Sequence, residues 1–128
     1  MCGAVRYESA ADPMFFFQCH CRECQYVSGG APASVVIVPK EAVAVEGSVK
    51  GYDCTSEKGN RVTRQFCPDC GTPMFSDIGA NPAILVIKAG TMDDASDLEL
   101  TATLWTSSAH PWALIDGDHP QFEKDPPV

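Results

Sequence analysis

The chain has 128 residues, 45% of them apolar, a length at which one hydrophobic core suffices, so one domain over 1–122 followed by a flexible end at 123–128 is expected. Nine Lys and Arg against 17 Asp and Glu give a formal charge of −8, and thiolates on a metal would deepen it; a phosphate-reading surface is excluded and no nucleic-acid partner is expected. No apolar run nears the roughly 20 residues that span a bilayer, and the start MCGAVRYESAAD lacks a secretory pattern, so a cytoplasmic location away from membranes is expected.

Ten Gly and ten Pro cut the chain into short segments rich in Val, Ile, Thr and aromatic residues, many with period-two alternation. This predicts an all-β protein with very little helix. In chain order, strands are expected near Ala4–Glu8, Met14–Gln18, Ser34–Val38, Val43–Glu46, Val49–Asp53, Val62–Phe66, Ile84–Ala89 and Thr101–Thr106. A short helix is expected at Arg22–Val27 and a turn around Asp93–Ser96. No repeat at a solenoid period is visible, and the Pro-rich, charged end Glu123–Val128 predicts a flexible tail.

Seven cysteines in a reducing compartment are poor candidates for disulfides, and an odd number leaves one unpaired; metal binding accounts for them better. In Cys19-His20-Cys21-Arg22-Glu23-Cys24, an extended backbone puts the first two sulfurs on one face and Cys24 returns one turn later. Three thiolates can then meet on one ion, with a fourth position left for water, a substrate sulfur or a distant ligand. Polar neighbours make this a poor core segment, which weighs against three merely buried thiols. Cys67-Pro68-Asp69-Cys70-Gly71 has the Pro and Gly of a tight zinc-knuckle turn, and lacks the βαβ setting of a redox C-x-x-C.

The 42 residues between the clusters are too many for a zinc ribbon, which leaves two arrangements open. One zinc could draw on both clusters, or two zincs could bind, the second recruiting Cys2. Cys54 has no nearby cysteine or histidine and reads as a non-ligand. His20, His110 and His119 read as surface residues or as supports behind the ligands.

The pieces Cys2-Gly3-Ala4-Val5-Arg6-Tyr7, Cys19-His20-Cys21-Arg22-Glu23-Cys24 with Ser28-Gly29, Arg64-Gln65-Phe66-Cys67-Pro68-Asp69-Cys70-Gly71-Thr72-Pro73, Gly90-Thr91-Met92-Asp93-Asp94 and His110-Pro111-Trp112 occur in this order. Together they make the chain resemble the glutathione-dependent formaldehyde-activating enzyme family, also called the centromere protein V family, over almost its whole length. The resemblance implies a β-tent fold with up to two zinc ions. It implies a catalytic zinc on Cys19, Cys21 and Cys24 and a structural zinc on Cys2, Cys67 and Cys70. The family's fourth structural ligand, the first cysteine of an amino-terminal C-x-C, would fall one residue before Met1, and an internal start within a longer natural protein is the expectation.

The activity implied by the resemblance is that of a carbon–sulfur lyase: glutathione and formaldehyde combine to S-(hydroxymethyl)glutathione. The same site acting on another thiol adduct is one alternative, and a non-catalytic zinc-binding interaction module, with a fourth protein ligand sought first at His20 or Cys54, is the other. Glutathione carries two carboxylates, for which Arg6, Arg22, Arg61, Arg64 and Lys88 are the candidate partners.

Overall fold

The structure is a computed structural model and describes residues 1–127. Its strands are β1 (Arg6–Ser9), β2 (Phe15–Cys19), β3 (Ala33–Pro39), β4 (Val43–Glu46), β5 (Lys50–Thr55), β6 (Arg61–Phe66), β7 (Pro73–Ile78), β8 (Ile84–Lys88) and β9 (Ala102–Leu104), with one α-helix, α1 (Arg22–Ser28). Seven strands form a sheet in the order β5-β6-β7-β8-β3-β2-β9, and β1 pairs with β4 in a small second sheet. Every neighbouring pair is antiparallel except β2 with β9. The chain is all-β, as its alternating pattern predicts.

Successive side chains of a strand point to opposite faces, and the large sheet buries both. On one face Val36, Val38, Phe75, Leu85 and Ile87 form a core closed by Val5, just before β1, and by Tyr7 on β1. Tyr7 meets Phe75 edge to face at 5.2 Å, and its hydroxyl lies 2.8 Å from Thr91 Oγ1. On the other face Val35, Ile37 and Val86 pack with Cys24 of α1. The uninterrupted apolar runs VVIV and ILVI are the sequence of strands covered on both sides.

Eight expected strands are present, shifted by at most two residues at either end; Val43–Glu46 coincides with β4. Helix α1 runs one residue beyond its expected end and stops where Gly29 adopts a left-handed conformation at φ 84°. The expected strands omit β7, although it lies inside the sheet between β6 and β8. Its sequence PMFSDI opens on a proline and carries Ser and Asp, which are weak strand formers. The proline is accommodated where the pairing shifts register between Gln65 and Phe66, a bulge that also delivers the chain into the Cys67 turn.

Residues 123–125 of the expected flexible end make specific contacts. The amides of Trp105 and Ser107 donate to the carbonyls of Lys124 and Glu123, and Trp105 Nε1 donates to Asp125 Oδ1 at 2.9 Å. Lys124 pairs with Glu57 at 2.7 Å. Among the described residues no helix is long and apolar enough to cross a membrane.

Candidate metal centre

The trio on the helix-bearing face is built by one local segment. Cys19 ends β2, Cys21 is the extended residue just before α1, and Cys24 lies one turn into it. Gln25, buried beside Cys24, fixes that turn. Its Nε2 donates to the carbonyls of His20 and Ser108, both at 2.8 Å, and its Oε1 accepts from Arg22 Nη1 at 2.7 Å. The three sulfurs of Cys19, Cys21 and Cys24 lie within 4.8 Å of one another.

The second cluster assembles at a distance. The amide of Gly71 donates to the Cys67 carbonyl at 2.8 Å and the amide of Cys67 to the Thr72 carbonyl at 3.0 Å, closing the knuckle turn after the β6 bulge. Cys2 approaches from the amino end, and the sulfurs of Cys2, Cys67 and Cys70 also lie within 4.8 Å of one another. Cys67 is 2% exposed whereas Cys2 is exposed. Cys67 belongs to the core on the small-sheet side and Cys24 to the core on the other, so the large sheet separates the two groups.

Each group can hold a metal ion and is compatible with zinc. Two thiolates about 2.3 Å from one tetrahedral ion are roughly 3.8 Å apart, and Cys2 Sγ lies 3.7 Å from Cys67 Sγ. The trio's protonation also suits a ligand set. Hydrogen bonds from the Cys19 and Cys21 thiols, aided by the Arg64 and Lys88 charges and opposed by burial, hold the Cys24 pKa down to about 3. The Cys19 pKa is raised because its proton is shared with Cys21 and Cys24. In the second group the Thr72 hydroxyl and backbone lower the Cys70 pKa to about 6.

The two-group arrangement separates the ligand sets that the spacing alone left open, and no single ion can draw on both. Cys54 joins neither group, although it lines the trio's cavity; its thiol donates to the Val62 carbonyl at 3.4 Å. No histidine joins either group. His20 is not a surface residue, being 1% exposed, and neither ring nitrogen has a hydrogen-bond partner. His119 lies 2.6 Å from Thr103 Oγ1, and His110 stacks on Trp112 at 4.8 Å.

The trio opens onto a cavity of about 440 Å³. Of the five candidate cations, Arg22, Arg64 and Lys88 line it; Arg6 instead pairs with Asp93 at 3.0 Å, and Arg61 lies elsewhere. Ser76, Trp105 and Asp125 also line the cavity and carried no signal in the sequence. Ser76 reaches it through β7, which pattern reasoning misses, Trp105 through the segment just after β9, and Asp125 through the chain end.

An all-β scaffold with three-cysteine groups on either side of one sheet is the class of protein defined by this geometry. A family profile described as glutathione-dependent formaldehyde-activating enzyme matches residues 1–108, and the chain belongs to that family. No curated protein matches significantly. Among solved structures, a crystal structure of a Rhodobacter sphaeroides protein, a structural genomics target, superposes with a TM-score of 0.58 at 18% identity, covering 75% of this chain and 86% of that one. That likeness supports the fold alone.

Proposed function

We propose that the chain adds a thiol to a small aldehyde at the Cys19, Cys21 and Cys24 group, with glutathione and formaldehyde as the leading pair and S-(hydroxymethyl)glutathione as product. The addition places the thiol sulfur on the carbonyl carbon and the thiol proton on the carbonyl oxygen, so nothing is oxidised or reduced. The observation that carries this reading is that the trio borders a cavity while no fourth Cys, His, Asp or Glu ligand atom joins it within the same spacing among the described residues. The family match supports the substrate pair.

Zinc held by the trio would supply a soft electrophile that keeps a thiol sulfur ionised at neutral pH. The chain's own residues fix its surroundings. Gln25 locks the Cys21–Cys24 turn, and Val35, Val62, Ile78 and Val86 give the cavity apolar walls that limit water around the reacting sulfur. The Cys2, Cys67 and Cys70 group would hold a structural zinc, tying the amino end to the β6–β7 turn. All seven cysteines are free thiols, which suits a reducing compartment such as the cytoplasm.

The test is formation of S-(hydroxymethyl)glutathione from glutathione and formaldehyde by zinc-loaded protein, followed by NMR against the uncatalysed rate. Acceleration that is lost in Cys21→Ser supports the reading. No acceleration with any thiol in a panel, together with a trio zinc whose coordination glutathione leaves unchanged, overturns it in favour of a binding module.

A further inference from the structure

Within this acidic chain, Arg64 and Lys88 stand out as inward-facing cations without a carboxylate partner. Arg64 on β6 lies opposite Ser76 on β7, and Lys88 Nζ donates to Ser76 Oγ at 3.4 Å. Among the described residues neither cation forms an ion pair, and Arg64 Nε is buried without a hydrogen-bond partner. Two acids on the cavity wall are already engaged, Glu57 by Lys124 and Asp125 by Lys58 and Trp105; Glu23 is exposed on the first turn of α1.

Both cations also line a neighbouring cavity of about 270 Å³, bounded by Tyr26, Gln65 and Gly71. They therefore stand at the partition between this space and the trio's cavity. Burial pushes the Lys88 pKa down and opposes the Arg64 charge, while the facing Cys24 favours both charges. Partly desolvated cations attract an anion more strongly than surface ones, and the Arg fork suits a carboxylate.

We infer that Arg64 and Lys88 form a specificity-determining seat for a carboxylate, so that the site selects thiols carrying a carboxylate over neutral thiols of similar size. The inference deepens the proposed thiol–aldehyde reading and rests on it for the sulfur's position at the trio. A substrate of this class lays its sulfur at Cys19, Cys21 and Cys24 and its carboxylate on the partition. The competing role for the same charges is to balance the trio's thiolates, which would affect all thiols equally.

Calorimetric titration of the zinc-loaded protein with 3-mercaptopropionate, 2-mercaptoethanol and S-methylglutathione separates these roles. S-methylglutathione keeps the carboxylates but has no free thiol, so its binding reports the seat without the chemistry. In Lys88→Met and Arg64→Met the dissociation constants for both carboxylate ligands are expected to rise about tenfold, the scale of one lost charged hydrogen bond. The constant for 2-mercaptoethanol should change less than about twofold on the same scale. Zinc content and the circular dichroism spectrum report whether each variant is intact, and Arg64→Lys, which keeps the charge, should recover part of the loss.

Equal losses for charged and neutral thiols overturn the seat, as does failure of the unmodified protein to bind S-methylglutathione. If the unmodified protein binds the carboxylate ligands selectively but forms no adduct with formaldehyde, the thiol–aldehyde reading fails and the seat stands.

Discussion

Gln25 Nε2 sits 2.8 Å from the carbonyl oxygen of His20, so the helix that carries Cys24 is bonded to the strand end that carries Cys19. The same amide reaches the Ser108 carbonyl at 2.8 Å, which ties a later loop to the trio.

Gln25→Leu keeps the volume but leaves two carbonyls without this donor. Each unsatisfied group costs about 1–3 kcal/mol when buried, and Ser108 is partly exposed, so a stability loss of about 2–4 kcal/mol is expected from denaturant unfolding. Zinc affinity at the trio should fall about 10- to 100-fold, the usual effect of losing a group that orients metal ligands, as read by competition with a chromophoric chelator. An unchanged affinity would show that the trio does not depend on this clamp.

Gly47 holds the small sheet to the amino end. Its φ is +87°, and a Cβ placed there would lie 2.2 Å from the Ala4 carbonyl oxygen and 3.3 Å from Val5 Cα. Both obstacles are backbone, so Gly47→Ala must displace the segment that leads back to Cys2. A loss of about 2 kcal/mol or more is expected from the unfavourable φ and the clash. Metal retention should weaken at Cys2, Cys67 and Cys70 while the trio, across the large sheet, retains its own. Elemental analysis after mild chelation checks this, and equal loss from both groups would show that they are coupled.

The cysteine groups were legible because side chains able to converge on one ion obey spacing rules that tolerate little variation. Cys19, Cys21 and Cys24 need only a strand end and one helical turn to meet, and Cys67 with Cys70 needs one tight turn. Recruitment of Cys2 was only one of two arrangements that the residues left open, and the resemblance chose it, since 64 residues separate Cys2 from Cys67 and no local rule spans that distance. Strand β7 was hidden because Pro73, Ser76 and Asp77 violate strand preferences that tertiary pairing overrides. The burial of His20 was hidden for a related reason. A polar residue between two ligands reads as exposed, yet His20 follows directly on β2, which β3 and β9 flank within the sheet, and its amide donates to the Leu104 carbonyl at 3.0 Å as the chain turns into the interior.

Cys54 shares the trio's cavity without joining its ligand group. Cys54→Ser should therefore leave zinc stoichiometry unchanged, whereas Cys24→Ser should remove one zinc per chain. Elemental analysis of the two variants side by side decides between an auxiliary thiol and a hidden fourth ligand. Loss of zinc on Cys54→Ser would close the trio's shell and favour the binding module over the enzyme.

The protonation of the trio makes a prediction about pH. Zinc requires all three sulfurs as thiolates, so binding releases every proton the free site still holds. Cys24, with its pKa lowered to about 3, is already ionised at neutral pH, while the pKa values of Cys19 and Cys21 are raised and both retain their protons. Zinc uptake by the trio near pH 7 should then release about two protons, and affinity should fall about 100-fold for each pH unit lost. Falling pH weakens binding because protons compete for Cys19 and Cys21. The dependence should steepen to about three protons only as the pH approaches the Cys24 value. A Cys70→Ser background removes the second site, and calorimetry in buffers of different ionisation enthalpy counts the protons. A release of three at neutral pH would place a proton on Cys24 and remove the thiolate from the free site.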